Sequence, residues 1–90
     1  MLVWYYRLKE KKNMMDLSFI PSGQKLVLLK KEDSKWFVET VELPDSAHNV
    51  RKFFWVDESE VELIEKKEED WSDERKSEIE KILNEKWLEL

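Results

Sequence analysis

The chain has 90 residues, 41% of them charged, with a net charge of −5, which is enough material for one domain. The absence of cysteine excludes a disulfide framework and a thiolate metal site, and the single glycine excludes a glycine-rich phosphate loop. No apolar stretch reaches the roughly 18 residues that a membrane span needs. We therefore expect a soluble cytoplasmic protein without membrane association.

Charge is distributed unevenly along the chain. Residues 1–56 carry a net charge of +3, whereas residues 57–90 carry −8. The basic half could contact phosphates, and the acidic half could occupy a basic groove on a partner. The simpler explanation for the charge excess of each half is an ordinary solvated surface. Lysine and glutamate dominate the charged residues, a usage reported for hyperthermophiles, so we predict a thermophilic source.

The first third of the chain predicts one strand and a turn. Residues 2–8 alternate between a strongly apolar face and a mixed face, which predicts a strand. Residues 14–20 form a short apolar segment that fits no single period. Pro21 and Gly23 then predict a type I turn that begins at Ile20.

The middle of the chain predicts a hairpin. Residues 24–31 contain an unbroken apolar run that indicates a strand buried on both faces, and residues 36–43 form the return strand. Residues 32–34 lack the glycine of a two-residue primed turn, so we expect a four-residue loop. Pro44, followed by Asp45 and Ser46, ends the return strand.

The last third predicts two strands and a helix. Residues 50–56 and 61–64 alternate as strands around an acidic turn at 57–59, and residues 66–71 are predicted to be a charged connector. The helix is expected over residues 72–90, with Ser72 as N-cap.

The predicted helix has one apolar stripe. Its members recur at helical spacing and are Ile79, Ile82, Leu83, Trp87 and Leu90. We expect this stripe to cover an open end of the sheet, because a small core gains much from an added layer. The alternative is that the stripe contacts another protein or a second copy of the chain, so we expect a monomer or a weak homodimer formed through the helix.

The order of these elements resembles the SH3-like small β-barrels, a superfamily that includes SH3, Tudor and KOW modules. The resemblance lies in Gly23 followed by the apolar run at 26–28, in the hairpin at 33–38, and in residues 55–64, which are similar to the passage through one 3₁₀ turn into the last SH3 strand. It implies a mainly β fold, a five- or six-stranded barrel over residues 1–65, with the C-terminal helix in a single domain of residues 1–90.

The members of this superfamily imply different ligands. A peptide-binding SH3 domain has a tyrosine-rich motif and a proline in its last turn, which residues 57–59 lack, so Pro-rich ligands are not expected. A Tudor-type aromatic cage would draw on Trp36, Phe37, Phe53, Phe54 and Trp55. Neighbouring rings on a strand point to opposite faces, so part of this set must serve the core. A KOW-like nucleic-acid surface would use Lys25, Lys30, Lys31, Lys35, Arg51 and Lys52.

The sequence contains no pattern typical of catalysis. His48 is the single histidine, so neither a histidine metal site nor a triad can be built from imidazoles alone. The acidic residues 57–62 lack the order of a calcium-binding loop. We therefore expect a protein that is not an enzyme and has neither a cofactor nor a metal.

These observations favour a small protein-interaction module of the adaptor or inhibitor kind. Docking would use exposed aromatic residues or the acidic C-terminal half. The alternative is a nucleic-acid-binding barrel that uses the basic residues of the N-terminal half.

Overall fold

A computed structural model of the chain describes residues 1–15, 17, 19–42 and 51–87, with side chains up to residue 85. The elements are β1 (Leu2–Leu8), β2 (Lys12–Asn13), β3 (Phe19–Ile20), β4 (Lys25–Glu32), β5 (Lys35–Thr40), β6 (Phe53–Asp57), a 3₁₀ turn (Glu58–Glu60), β7 (Val61–Glu68) and α1 (Asp73–Trp87). The predicted turn at Pro44 and His48 lie outside the described residues, as does Leu90. The helix α1 is neither long nor apolar enough to cross a bilayer.

The main sheet is antiparallel, with the strand order β6-β5-β4-β1-β7, and β2 and β3 form a separate two-stranded ladder. The predicted mainly β fold with a C-terminal helix is confirmed. The sheet does not close into a barrel, because the two edge strands β6 and β7 do not pair with each other. The 3₁₀ turn connects β6 to β7, and β7 then pairs with β1 at the other edge of the sheet.

The predicted connector at residues 66–71 is wrong in its first half. The strand β7 continues to Glu68, which is paired with Leu2 at the start of β1. Backbone bonds between Met1 and Glu69 extend the pairing, and they place the end of β7 beside the N-terminus. Residues 66–68 are charged because one edge of β7 is exposed, and a charged edge strand resists pairing with other chains.

Two turns also differ from their predictions. The hairpin between β4 and β5 has a two-residue turn, because Asp33 adopts a positive φ of 51° that aspartate tolerates better than most residues. The turn before β4 is shifted by one residue: the amide of Gln24 bonds to the carbonyl of Pro21, and Gly23 takes the positive φ of 85°.

The largest apolar cluster contains Val56 of the edge strand β6 and Val61 of the edge strand β7, so the sheet curls towards the face that carries it. We call this the concave face and its cluster the concave core. Alternate residues of the strands meet there, as strand geometry requires, and Leu26 and Val38 are completely buried. The cluster consists of Tyr6, Leu8, Ile20, Leu26, Trp36, Val38, Phe54, Val56 and Val61. Trp4, Met14 and Leu28 pack against it.

The helix α1 lies against the opposite face of the sheet. Ser72 caps its first turn, as predicted, since its Oγ accepts a hydrogen bond of 3.1 Å from the amide of Arg75. Arg75 then reaches Glu39 on β5, which alternates with the core residue Val38 and so points away from the concave face. The expectation that the helix covers an open end of the sheet is therefore wrong, although the buried Ile79 confirms that its apolar stripe packs within the chain.

Candidate functional site

The predicted ligand rings do not form one cage. Phe54 belongs to the apolar cluster of the concave core, and the other four are divided between the two faces. Trp36 belongs to the concave core, where its ring meets that of Tyr6 at 4.9 Å between centroids. Phe37 is fully buried and lies on the other face, against Phe53 at 6.3 Å and Trp55 at 5.1 Å. Because the sheet separates Trp36 from the other three, no ligand can contact all four rings, and Phe37 is a core residue.

The predicted basic residues are also separated. Arg51 is bound to acids on two elements, through Nε to Glu39 at 3.1 Å and through its guanidinium to Glu78 on α1. Lys30 forms an ion pair of 3.1 Å with Glu32. The ammonium of Lys31 lies over the ring of Trp36, 4.5 Å from its centroid.

Several charged residues of the basic half pair with charged residues of the acidic half in the folded structure. Ion pairs that join the two halves are Arg7–Glu62, Lys12–Glu60, Lys25–Glu65, Lys35–Asp57 and Arg51–Glu78. The hydrogen bond from Lys25 lowers the pKa of the Glu65 carboxyl. Five acids of the C-terminal half are therefore already paired with cations of the N-terminal half.

The buried carboxylate of Glu39 joins the helix to the sheet. It is 1% exposed, and both of its oxygens accept hydrogen bonds from Arg75, one of them at 3.0 Å. This pairing raises the pKa of the Arg75 guanidinium, since the hydrogen bonds stabilise its charged form. The arrangement satisfies a charge that would otherwise be costly to bury, so its role is structural.

The most exposed apolar residues of the described chain lie on the β2–β3 hairpin. Met15 and Leu17 are fully exposed, at 103% and 97%, and Phe19 is 55% exposed. Met14 anchors the hairpin, because its side chain packs against the concave core. Apolar residues clustered in this way at a loop tip are typical of an interaction site.

The backbone at this tip is strained. Leu17 adopts a φ of 68°, and its amide bonds to the carbonyl of Met14 at 3.3 Å. A bulky residue rarely adopts this left-handed conformation, which costs about 1 to 3 kcal/mol and recurs at functional sites. The strain presents the Leu17 side chain to solvent, where it gains no burial energy within the chain.

A cleft of about 330 Å³ separates the base of the hairpin from the 3₁₀ turn. It is lined by Lys9, Glu10, Lys11, Lys12, Ser59 and Glu60. Two contacts to Glu60 hold its walls together, one of 2.9 Å from the amide of Lys9 to the carbonyl oxygen and one of 3.2 Å from the ammonium of Lys12 to the carboxylate. The ammonium of Lys11 lies 4.8 Å from the Phe19 centroid, so a cation borders the apolar tip.

Sequence reasoning did not select this hairpin. The signal was present, since residues 14–20 are rich in apolar side chains yet fit neither the helical nor the strand period. From the sequence alone, an exposed apolar segment of this kind looks the same as one that is buried in the core. Within residues 1–42 and 51–87, as far as they are described, no three acidic or imidazole groups come together as metal ligands would.

Comparisons of the chain with protein-family models, with curated proteins and with solved structures gave no match. The resemblance to SH3-like barrels therefore stays a prediction. The 3₁₀ turn at Glu58–Glu60 lies where that resemblance places one.

Proposed function

We propose that this protein is a small interaction module that docks onto another protein through the tip of the β2–β3 hairpin. The partner would present an apolar pocket for Met15, Leu17 and Phe19. Its rim would carry acidic residues that pair with the lysines bordering the cleft. The proposal includes a cytoplasmic location and no catalytic activity.

The observation that supports this proposal best is the exposure of Met15 and Leu17 on a hairpin whose neighbouring residue, Met14, is packed into the core. An anchored base reduces the entropy lost when the tip binds a partner. The positive φ of Leu17 adds independent support, because the fold maintains a strained conformation there.

The acidic half of the chain is a weaker candidate for the docking surface. Several of its carboxylates already pair with cations of the basic half, among them Glu60, Glu62 and Glu65. A surface that mimics phosphate charge needs carboxylates that are available to a partner. These three carboxylates would therefore contribute little to such a surface.

The test uses site-specific photocrosslinking. A photoreactive amino acid at position 15 should join the protein to one partner in extract of the source cells, and the crosslink should survive nuclease treatment. The Leu17→Ser variant should lose it, because a serine hydroxyl would be desolvated in the apolar pocket. The matched control is Leu63→Ser, which changes an exposed leucine on β7 and should leave the crosslink intact.

Two results would contradict the proposal. One is a crosslink at position 15 that persists in the Leu17→Ser variant. The other is a crosslink that disappears with nuclease, since this would make nucleic acid the bridging ligand. Fractionation of the same cells tests the cytoplasmic location.

A further inference from the structure

Four side chains form a row across the main sheet, one from each of four neighbouring strands. They alternate between cation and ring: Lys66 on β7, Trp4 on β1, Lys31 on β4 and Trp36 on β5. Lys66 and Trp4 are direct cross-strand partners, and so are Lys31 and Trp36. The row therefore follows from the register of the sheet.

The distances within the row are those of cation–π contacts. The ammonium of Lys66 lies 4.1 Å from the Trp4 centroid, and that of Lys31 lies 5.5 Å from Trp4 and 4.5 Å from Trp36. Both lysines are exposed, and Trp4 is half-buried. A ligand can therefore reach the two cations and part of the Trp4 ring.

The two cations of the row differ from most cations of the sheet. Arg7, Lys25 and Lys35 each form an ion pair with a carboxylate on another element. Lys31 and Lys66 form none with a described residue, and their ammonium groups contact indole rings instead. Positive charge at this row is thus left for a ligand, although the chain as a whole is acidic.

We infer that this row is a binding site for single-stranded nucleic acid. A base would stack on Trp4, and Lys31 and Lys66 would contact the phosphates on either side of it. Alternating rings and cations suit a ligand in which planar bases and phosphates also alternate. The site shares no residue with the hairpin tip, so it is independent of the proposed docking function.

Stacking on Trp4 requires a lysine to leave the ring face. An exposed cation–π contact changes an equilibrium by about two- to fivefold, whereas a stacked base contributes about five- to 150-fold. The displaced ammonium also gains a phosphate partner. The exchange therefore favours the bound state, and we expect stacking to dominate the affinity.

The experiment measures fluorescence anisotropy of labelled single strands of about ten nucleotides, oligo-dT and oligo-U, with the full chain at low salt. Two phosphate contacts predict a slope of log affinity against log salt of about −1.4, and either Lys31→Gln or Lys66→Gln should reduce that slope by about half. Trp4→Leu should weaken binding at least tenfold, and Trp4→Phe should retain most of it.

The matched control is Lys67→Gln, because Lys67 neighbours Lys66 but points to the opposite face of β7. It should change the affinity less than twofold. An abasic strand of the same length should bind at least tenfold more weakly than oligo-dT, since it offers nothing to stack on Trp4. Thermal unfolding of each variant verifies that it is folded.

Several outcomes would overturn the inference. Absence of binding at low salt is one, and equal effects of Lys66→Gln and Lys67→Gln is another. If the abasic strand, an anionic vesicle or a phosphorylated peptide binds as tightly as oligo-dT, the row is a general anion site and the assigned ligand is wrong. If Leu17→Ser loses the hairpin crosslink but keeps its oligonucleotide affinity, the hairpin tip and the row act independently of each other.

Discussion

The two faces of strand β5 are held by different physical interactions. Its concave face contributes Trp36 and Val38 to a cluster of apolar side chains. Its opposite face contributes Phe37, which is apolar, and Glu39, which is charged and equally buried. The concave core is stabilised by burial of apolar area, whereas the attachment of α1 also depends on a directional pair between Glu39 and Arg75.

This difference shows how a short amphipathic helix can be positioned on a sheet. Apolar contacts alone tolerate sliding, because their energy depends on area rather than on direction. A carboxylate that accepts from both arms of one guanidinium permits a single orientation. We therefore interpret Glu39 as the residue that sets the register of α1. Buried ionic groups provide such conformational specificity in some other proteins.

The largest effect is expected in the concave core. Leu26 is completely buried there, so Leu26→Ala should lower the free energy of unfolding by roughly 2 to 5 kcal/mol through lost burial and the cavity left behind. Chemical denaturation measures the change. Leu63→Ala, at a position 45% exposed, should cost about 0.5 kcal/mol or less. Equal losses at the two positions would show that the core is not where the structure places it.

The second-largest loss of stability is expected where α1 contacts β5. Arg75→Met leaves the Glu39 carboxylate buried with Arg51 as its remaining partner, and should cost about 2 to 3 kcal/mol. The double variant Glu39→Met/Arg75→Met removes both charges and should be more stable than Arg75→Met alone, as for other buried pairs replaced by apolar residues. A double variant less stable than the single one would contradict this interpretation.

Unfolding at alkaline pH tests the surroundings of Tyr5, which lies on the face of the sheet that contacts α1. Desolvation, together with a hydrogen bond to Glu69, raises the pKa of Tyr5 to about 12. Because the folded-state pKa lies above the unfolded value, this contribution to stability is complete below pH 10 and is lost as pH rises towards 12. Tyr5→Phe should make the unfolding free energy less dependent on pH in that range.

The titration itself provides the direct control. Burial also raises the pKa of Tyr6, so absorbance at the phenolate band should show both tyrosines of the chain ionising above pH 10. If both tyrosines titrate at their ordinary value, Tyr5 is solvated and not bonded to Glu69.

The smallest effect is at the start of α1. Ser72→Ala removes the cap on the amide of Arg75 and should cost about 1 kcal/mol. Hydrogen exchange should show faster opening of the first helical turn with the sheet unaffected. Ser77→Ala, in the exposed part of the same helix, is the matched control and should have no such effect. Equally fast opening in both variants would contradict the capping role of Ser72, because alanine has the higher helix propensity and the control serine caps nothing.

Most of the strands could be predicted from the sequence. The β1 bounds of residues 2–8 were predicted as the structure has them, since its alternation is clear. The start of α1 was also predicted, because Ser72 and the acids that follow it are a local signal. The end of β7 was missed, because residues 66–68 are charged and their membership of the strand depends on pairing with β1, which is distant in sequence.

The candidate sites were less predictable. Trp36 and Phe37 are equally aromatic in the sequence, yet their surroundings depend on which face each strand residue takes and on what covers that face. The row from Lys66 to Trp36 needs four strands in register, and the relevant contacts join residues up to 62 positions apart. No local pattern predicts such a contact.

The sequence by itself determined a mainly β fold with a capped C-terminal helix, because alternation, turn residues and caps act over a few neighbouring positions. The tertiary structure alone decided that the sheet stays open, that α1 packs on the face opposite the concave core, that five acids of the C-terminal half pair with cations of the N-terminal half, and that Met15 and Leu17 remain exposed. These features depend on strand order and on burial, which bring together residues distant in the chain. The energies that select them are summed over the whole packed molecule rather than within any one segment.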